Sequence, residues 1–406
     1  MPEPLRIALL THSVNPRGGV VHTLELGRAL HERGHEVTVL APAQPGQQFF
    51  RELPHAVSLV PVGLAPADIA DMVGDRIEAF TRHLAGLLRR QRFDVLHAHD
   101  GIGGNALATL SEAGAIAGFV RPVHHLDPFD DPRLEAWQHR SVAAARQLLC
   151  VSDTWCHVLR QQFGRDALRV NNGVDLQRYT RRPDAHDAAL IDCLGLRMDA
   201  PRWLSVGGVE ARKNSVRILR AFLQLRAREP RAQLIVAGGA SLLDHSACAA
   251  EFQAVVADAG ITAGPGQDLV LTGPLPDAQM PALFRRASAL VMPSLREGFG
   301  LVVLEALACG TPVVVSDQPP FTEYLRDTAA AGHALFVDAL DATAIATALK
   351  QAAEPARRAA LALAVPPVCR QFSWAASAAR HETLYRAHGA LQRTAHARHA
   401  LPPALA

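Results

Sequence analysis

The stretch Ser294-Leu295-Arg296-Glu297-Gly298-Phe299-Gly300-Leu301-Val302-Val303-Leu304-Glu305-Ala306-Leu307-Ala308-Cys309-Gly310-Thr311-Pro312-Val313-Val314 decides how the chain reads. It follows the short apolar run Ala289-Leu290-Val291-Met292, the pattern of a buried parallel strand. Gly298 and Gly300 let the backbone turn sharply and approach a ligand closely. A helix is expected from near Leu301, stopped by Gly310 before the next strand. The first amides of a helix lack intrahelical partners and, with the helix dipole, favour an anion such as a phosphate. Glu297 lies just before that point, and Glu305 lies about one turn, roughly 6 Å, inside the helix. An anion site with a carboxylate to each side suits a ligand with a charged middle and a hydroxyl-rich group at either end. A nucleotide sugar has that shape, and a carboxylate accepts strong hydrogen bonds from two neighbouring hydroxyls.

Glu297-Gly298-Phe299-Gly300-Leu301, followed by Glu305 eight positions after the first glutamate, resembles the donor-site signature of the family-4 retaining glycosyltransferases. The match runs on through Ala308-Cys309-Gly310-Thr311-Pro312-Val313, a length that a chance glycine loop does not reach. The resemblance implies the GT-B fold: two doubly wound Rossmann-like α/β domains facing each other across a cleft. It covers both halves of the chain and is sharpest from about residue 203 to 317.

The 406 residues suffice for two domains with full cores, and 49% hydrophobic against 20% charged residues fits a globular protein. A net charge of +2 gives no global argument for nucleic acid as a partner. The six cysteines form no CxxC pair and no metal-ligand spacing, so reduced thiols and a cytoplasmic location are expected. The apolar run Ile7-Ala8-Leu9-Leu10 is too short for a signal peptide, and no run approaches the ~18 residues of a membrane span.

In the first half, strands are expected over 6–11, 36–42, 94–98, 122–126 and 148–152. Helices are expected up to about Arg33 and over 68–90, 105–113 and 133–145. The second half repeats the alternation. Strands fall at 203–206, 233–237, 269–272, 289–292, 313–316 and 334–337, and helices at 216–228, 246–259, 281–286, 302–308 and 342–353. Such alternation implies right-handed βαβ units and parallel sheets. Leu168–Asp175 contains Asn172-Gly173-Val174-Asp175, which resembles the element closing the first domain of the family. The polar stretch 181–200 reads as a linker. The domains expected are 1–180, taking the acceptor, and 181–373, taking the nucleotide-sugar donor. By resemblance, a C-terminal helix within 374–406 packs back on the first, with an Ala/His/Pro-rich tail from about Thr394.

Arg212 and Lys213 follow the first strand of the second half. The family has G-R-L-x-x-x-K here, with both cations on the donor diphosphate. Lys213 matches the lysine, but Gly208 stands where the arginine belongs. Either Arg212 supplies the second charge, or Lys213 and the helix amides suffice. Gly18-Gly19 matches a loop that in the family lines the cleft near acceptor and phosphate. His124 matches a family histidine near the reacting sugar, with His125 the alternative. The i, i+2 pair His97 and His99 could suggest a metal, but the resemblance implies none and no cofactor beyond the sugar nucleotide. Asp127, Asp130 and Asp131 echo a D-x-D motif but lie in a proline-bounded turn. Glu323 resembles a family glutamate near the nucleotide, without the glycines that normally precede it. Leu87-Leu88 beside Arg89, Arg90 and Arg92 reads as an ordinary surface helix, with peripheral membrane contact the alternative.

The function implied is transfer of a hexose from a nucleotide diphosphate sugar to a hydroxyl of a small molecule, glycan or lipid, with retention and without metal. Glu297, Lys213 and His124 would be catalytic. Arg212, Phe299, Gly300, Leu301 and Glu305 would hold the donor, and Gly18 and Gly19 the acceptor or phosphate. The alternatives are another GT-B enzyme such as an epimerase or phosphorylase, a glycosidase pairing Glu297 with Glu305, and an inactive nucleotide-sugar binder.

Overall fold

The computed structural model describes residues 3–239, 245–326, 332–363 and 367–396. The chain forms two compact units. One comprises residues up to Asn172 together with those from Trp374 on, and the other runs from Gly173 to Ser373.

The first unit holds a sheet of β1 (Arg6–Leu10), β2 (Glu36–Ala43), β3 (Ala56–Pro61), β4 (Val95–Ala98), β5 (Val120–Val123), β6 (Gln147–Cys150) and β7 (Ala167–Arg169). Its order is β3-β2-β1-β4-β5-β6-β7 and every pairing is parallel. The second holds β8 (Arg202–Val206), β9 (Gln233–Ala237), β10 (Leu269–Gly273), β11 (Ala289–Met292), β12 (Val313–Ser316) and β13 (Ala334–Val337), in the order β10-β9-β8-β11-β12-β13, again all parallel. In each sheet the chain builds outward in one direction, then restarts on the other side of the first strand. The switch points lie between β1 and β4 and between β8 and β11, and open α/β sheets bind ligands beyond the carboxyl ends of their strands at such points.

Helices cover both faces, so the central strands are continuous apolar runs rather than alternating ones. Leu9, Val39 and Leu96 of the first sheet and Leu234, Val291 and Val314 of the second are buried. Each such side chain contributes about 1.5–3 kcal/mol by leaving water.

The strands over 233–237, 289–292, 313–316 and 334–337 lie where the apolar runs predict them. The strand expected at 122–126 sits two residues earlier, because His124 onward leaves the sheet. Two strands escaped the sequence reading. Both β3 and β7 are edge strands with exposed or half-exposed positions, so neither carries the buried apolar signature. The stretch 181–200, expected as a linker, instead holds the helix Ala185–Leu194. Asp184 and Asp187 form its capping box, and Asp187 is gripped by Arg285 at 2.6 Å and Arg286 at 2.7 Å. This helix docks partly through charge, which is why its polarity read as linker. Asp153–Phe163 is a further unexpected helix, capped by Ser152 and ended by Gly164 at φ 61°.

The helix Trp374–His396 belongs to the first unit. Arg33 donates to Glu382 at 2.5 and 2.9 Å, and the buried Tyr385 hydroxyl hydrogen-bonds to His97 Nδ1. The tail expected beyond it lies, past residue 396, outside the described residues.

His381 and His388 of this helix are both buried, and burial lowers each pKa to about 4. Such a histidine binds its proton better when unfolded. The stability it permits is full above about pH 6.5 and falls by ~1.4 kcal/mol per pH unit on the way down to about 4. His388→Gln is therefore expected to flatten the acid loss of stability. Across that window the native protein should lose about 1–3 kcal/mol more than the variant, read from urea midpoints. Equal slopes for the two proteins would contradict this account of His388.

Candidate functional site

In the second unit β11 runs into a loop and then the helix Leu301–Ala308, which ends at Cys309 and Gly310 before β12. Gly300 is the N-cap, at φ 84° and ψ 60°, and no side chain caps the helix. A Cβ there would lie 2.6 Å from Phe321 Cε1, so this position tolerates only glycine without rearrangement. Phe299 is buried, with its ring stacked on Tyr324 at 4.7 Å. The Tyr324 hydroxyl donates to the Phe299 carbonyl at 3.1 Å. The loop is thus held by an aromatic clasp, and the start of the helix faces the switch point.

The loop after β8 sits on the other side of that point. Gly207 and Gly208 have φ of 128° and 74°, and a Cβ on Gly207 would press on Lys213 Cε at 3.0 Å. Asn214 adopts the left-handed conformation at φ 64°. Its Nδ2 donates to the carbonyls of Pro293 at 3.0 Å and Ala339 at 2.6 Å, tying this loop to the end of β11. Lys213 Nζ then meets Glu297 Oε2 at 2.6 Å. Arg212 reaches the same oxygen at 3.4 Å and Glu210 at 3.2 Å. Burial pushes the Lys213 ammonium pKa down, and Glu297 pulls it back up. Glu305, one turn into the helix, is also buried. Its charge acts on Tyr179 and Arg178, and burial with Glu305 raises the Tyr179 pKa well above its ordinary value.

The structure therefore brings Arg212, Lys213, Glu297, Phe299, Gly300, Leu301 and Glu305 to the loops and helix of one switch point. The arginine missing at Gly208 has a neighbour of like charge in Arg212, whose guanidinium faces Glu297. Asn214, Tyr324 and Arg178 were not read from the sequence. Asn214 carried a signal, an asparagine at a loop-to-helix junction beside Lys213. The other two come from distant segments.

In the first unit Gly18 and Gly19 open the helix Gly18–Glu32, which follows β1 after a loop. A Cβ at Gly18 would meet nothing within 4 Å, and one at Gly19 would lie 3.8 Å from His12 Cε1. Arg76 donates to the His12 carbonyl at 3.4 Å, and His12 Nδ1 is 3.8 Å from Asp100. Arg17 and Arg76 both act electrostatically on His12, which burial keeps below its ordinary pKa.

His124, just past β5, enters a nest of rings. It meets His22 edge-on at 4.6 Å and lies nearly parallel to His99 at 5.9 Å. His97 stacks on His99 at 4.2 Å, and Trp374 meets His22 edge-on at 5.3 Å. Burial is the main reason that His22 falls to about 3 and that His97, His99 and His124 fall well below 6.5. These imidazoles are neutral at pH 7. His125 instead turns to Asp127, 3.2 Å away. His22 escaped the sequence reading because one histidine in an amphipathic helix carries no spacing signal.

Asp131 caps the helix Pro132–Ala143 and pairs with Arg133 at 2.8 Å, so its carboxylate has a structural use. Glu323 lies in the short helix Phe321–Leu325. Leu84, Leu88 and Phe93 pack into the core and Leu87 packs against it, while Arg89, Arg90 and Arg92 are exposed. That helix offers no leucine face to a lipid surface. Among the described residues no helix is long and apolar enough to cross a membrane.

A family described as "Glycosyltransferase Family 4" matches residues 16–178, and one described as "Glycosyl transferases group 1" matches residues 190–363. D-inositol 3-phosphate glycosyltransferase 2 of Catenulispora acidiphila is 31% identical, over 94% of this chain and 95% of its own. Sucrose-phosphate synthase from Thermosynechococcus elongatus superposes with a TM-score of 0.75 at 21% identity, covering 95% of this chain and 99% of that one. Anabaena HepE in complex with UDP-glucose gives 0.71 at 17%, covering 94% and 100%. This chain belongs to the family-4 glycosyltransferases, enzymes of the GT-B fold.

Proposed function

We propose that this glycosyltransferase moves a hexose from a nucleoside diphosphate sugar to a hydroxyl of a phosphorylated polyol, with retention at the anomeric carbon and without a metal ion. The observation that carries the reading is the convergence of Lys213 and Arg212 beside the uncapped helix start at Gly300-Leu301, with Glu297 between them and that helix. A diphosphate placed there takes the amides of the first turn and both cations. As the bond from the anomeric carbon to the diphosphate oxygen breaks, charge grows on that oxygen where the cations already stand. The acceptor oxygen bonds to the same face of the carbon, and its proton passes to the departing phosphate. No protein nucleophile is needed. Glu297, once the diphosphate takes its cations, holds sugar hydroxyls, and Glu305 holds the ribose diol. The family resemblance gives His124, a neutral imidazole, the role of a hydrogen-bonding group to the reacting sugar.

A phosphorylated acceptor is favoured by Arg17 and Arg76 near the glycine-opened helix start at Gly18-Gly19, and by the inositol phosphate in the name of the Catenulispora relative. The six free cysteines suit a reducing cytoplasm.

The test is release of nucleoside diphosphate that requires both a nucleotide sugar and an acceptor, run across a panel of each in the presence of EDTA. Lys213→Gln should lower kcat by about 10²- to 10³-fold with little change in donor KM, because its charge acts most in the transition state. Glu305→Gln should raise donor KM about tenfold, the cost of one charged hydrogen bond to a diol. A product of inverted anomeric configuration by NMR, or a requirement for added metal, would refute the corresponding part of the mechanism. Gly300→Ala should destabilise the protein by ~2–4 kcal/mol, since a left-handed backbone costs a residue with a Cβ about 1–2 kcal/mol and the overlap with Phe321 adds to it. Unchanged Tm and donor KM in that variant would show that the loop is not held as described.

A further inference from the structure

His22, His99 and His124 all belong to the first unit. Among the described residues they form a group in which one ring nitrogen from each lies within 4.8 Å of the other two. Three points so spaced have a common centre no more than about 2.8 Å from each. A zinc–imidazole bond is ~2.0–2.1 Å, so each nitrogen needs to move inward by at most about 0.7 Å, within the reach of small χ rotations. The topology makes the grouping rigid. His99 and His124 directly follow the neighbouring strands β4 and β5, and His22 sits in the early part of the helix that follows β1. His99 is further fixed by its backbone amide, which donates to the Leu10 carbonyl at 2.9 Å.

The rings lack partners that would explain them otherwise. Among the described residues, both nitrogens of the buried His99 and Nε2 of His124 have no hydrogen-bond partner. The Asn172 side chain lies beside His22, yet neither nitrogen of that buried ring meets hydrogen-bond geometry. Leaving one buried polar group unpaired costs about 1–3 kcal/mol, so this set of buried lone pairs needs an account. Trp374 and His97 wall the nest, and of the three ligands His124 is the least buried. An all-nitrogen donor set selects zinc, copper, nickel or cobalt over magnesium or calcium, and three protein ligands leave a position open for water or a substrate oxygen.

We propose that His22, His99 and His124 bind one divalent transition-metal ion of the zinc type, and that the bound ion inhibits transfer by taking His124 from the sugar. The binding half stands on geometry alone; the inhibitory half rests on the function proposed above. With no carboxylate in the set to offset the charge, and no carbonyl or carboxylate behind the His99 ring, affinity should be well below that of a structural zinc site.

The full chain, with no affinity tag, is titrated with Co(II) at neutral pH. Binding is expected as one equivalent with the intense visible bands of a four- or five-coordinate nitrogen site, displaced by one equivalent of Zn(II). His99→Gln and His22→Gln should each abolish those bands while keeping a native circular dichroism spectrum. Should either variant fail to fold, a zinc-dependent rise in the Tm of the native protein, absent with magnesium, supplies the second measure. Bands that persist in both folded variants, or no stoichiometric cobalt uptake by the native protein, would overturn the site. Stoichiometric zinc should also lower the transfer rate at least tenfold, reversed by EDTA. Binding with an unchanged rate would overturn the inhibitory half. Binding in a protein that transfers no sugar would overturn the functional reading and the inhibition with it, and leave the metal site standing.

Discussion

A lysine ammonium held out of water needs an anion, and in the second unit that anion is Glu297. Lys213 Nζ meets Glu297 Oε2 at 2.6 Å, with Arg212 on the same oxygen at 3.4 Å. Alone, the buried Lys213 charge would be expensive, and the same is true of the carboxylate. Each therefore fixes the other, and the pair sets the distance between the loop after β8 and the loop after β11. Asn214 reinforces the setting by donating to the Pro293 carbonyl. A ligand with more negative charge than one carboxylate can displace Glu297 from its cations at little cost. On the proposed reading the ion pair that holds the loops is thus the device that receives the donor, and the displaced carboxylate is freed for hydroxyls.

The two units use one topology for different chemistry. Both sheets reverse their growth beside the first strand, between β1 and β4 and between β8 and β11. In the second unit that point gathers formal charges, Arg212, Lys213, Glu297 and Glu305. In the first it gathers neutral imidazoles, whose protonation is opposed by burial and by one another. On the proposed reading the contrast is a division of labour, in which a diphosphate demands charge while an acceptor hydroxyl and a sugar demand hydrogen-bonding groups of no net charge.

Much of this was legible in the chain, and what was not has physical reasons. The buried strands of the second unit announce themselves because parallel strands covered on both faces must be apolar throughout. The run from Glu297 to Val314 is readable because glycine is forced where φ is positive, at Gly300 and Gly310, and the helix between them is short. Edge strands β3 and β7 have no such constraint, and their half-exposed residues read as loop. Ala185–Leu194 was misread because Arg285 and Arg286, about a hundred positions later, supply charges that its sequence alone gives no reason to expect. His97 and His99 attracted notice through their spacing, but the cluster that forms uses His99 with His22 and His124, from three separate βα units. Only the order of strands in the sheet unites them.

The same dependence on distant chain explains the place of the C-terminal helix. It returns to the first unit after the whole second unit has been built, and its contact with β4, Tyr385 to His97, spans 288 positions. Trp374 closes on His22, and His381 and Tyr385 close on His97. Without them these rings would face water, their pKa values would rise toward 6.5, and the imidazoles would carry charge through part of the physiological range. The helix is therefore part of the chemistry of the first unit. By excluding solvent it keeps the histidines neutral, the state in which they can accept a hydrogen bond or bind a metal ion.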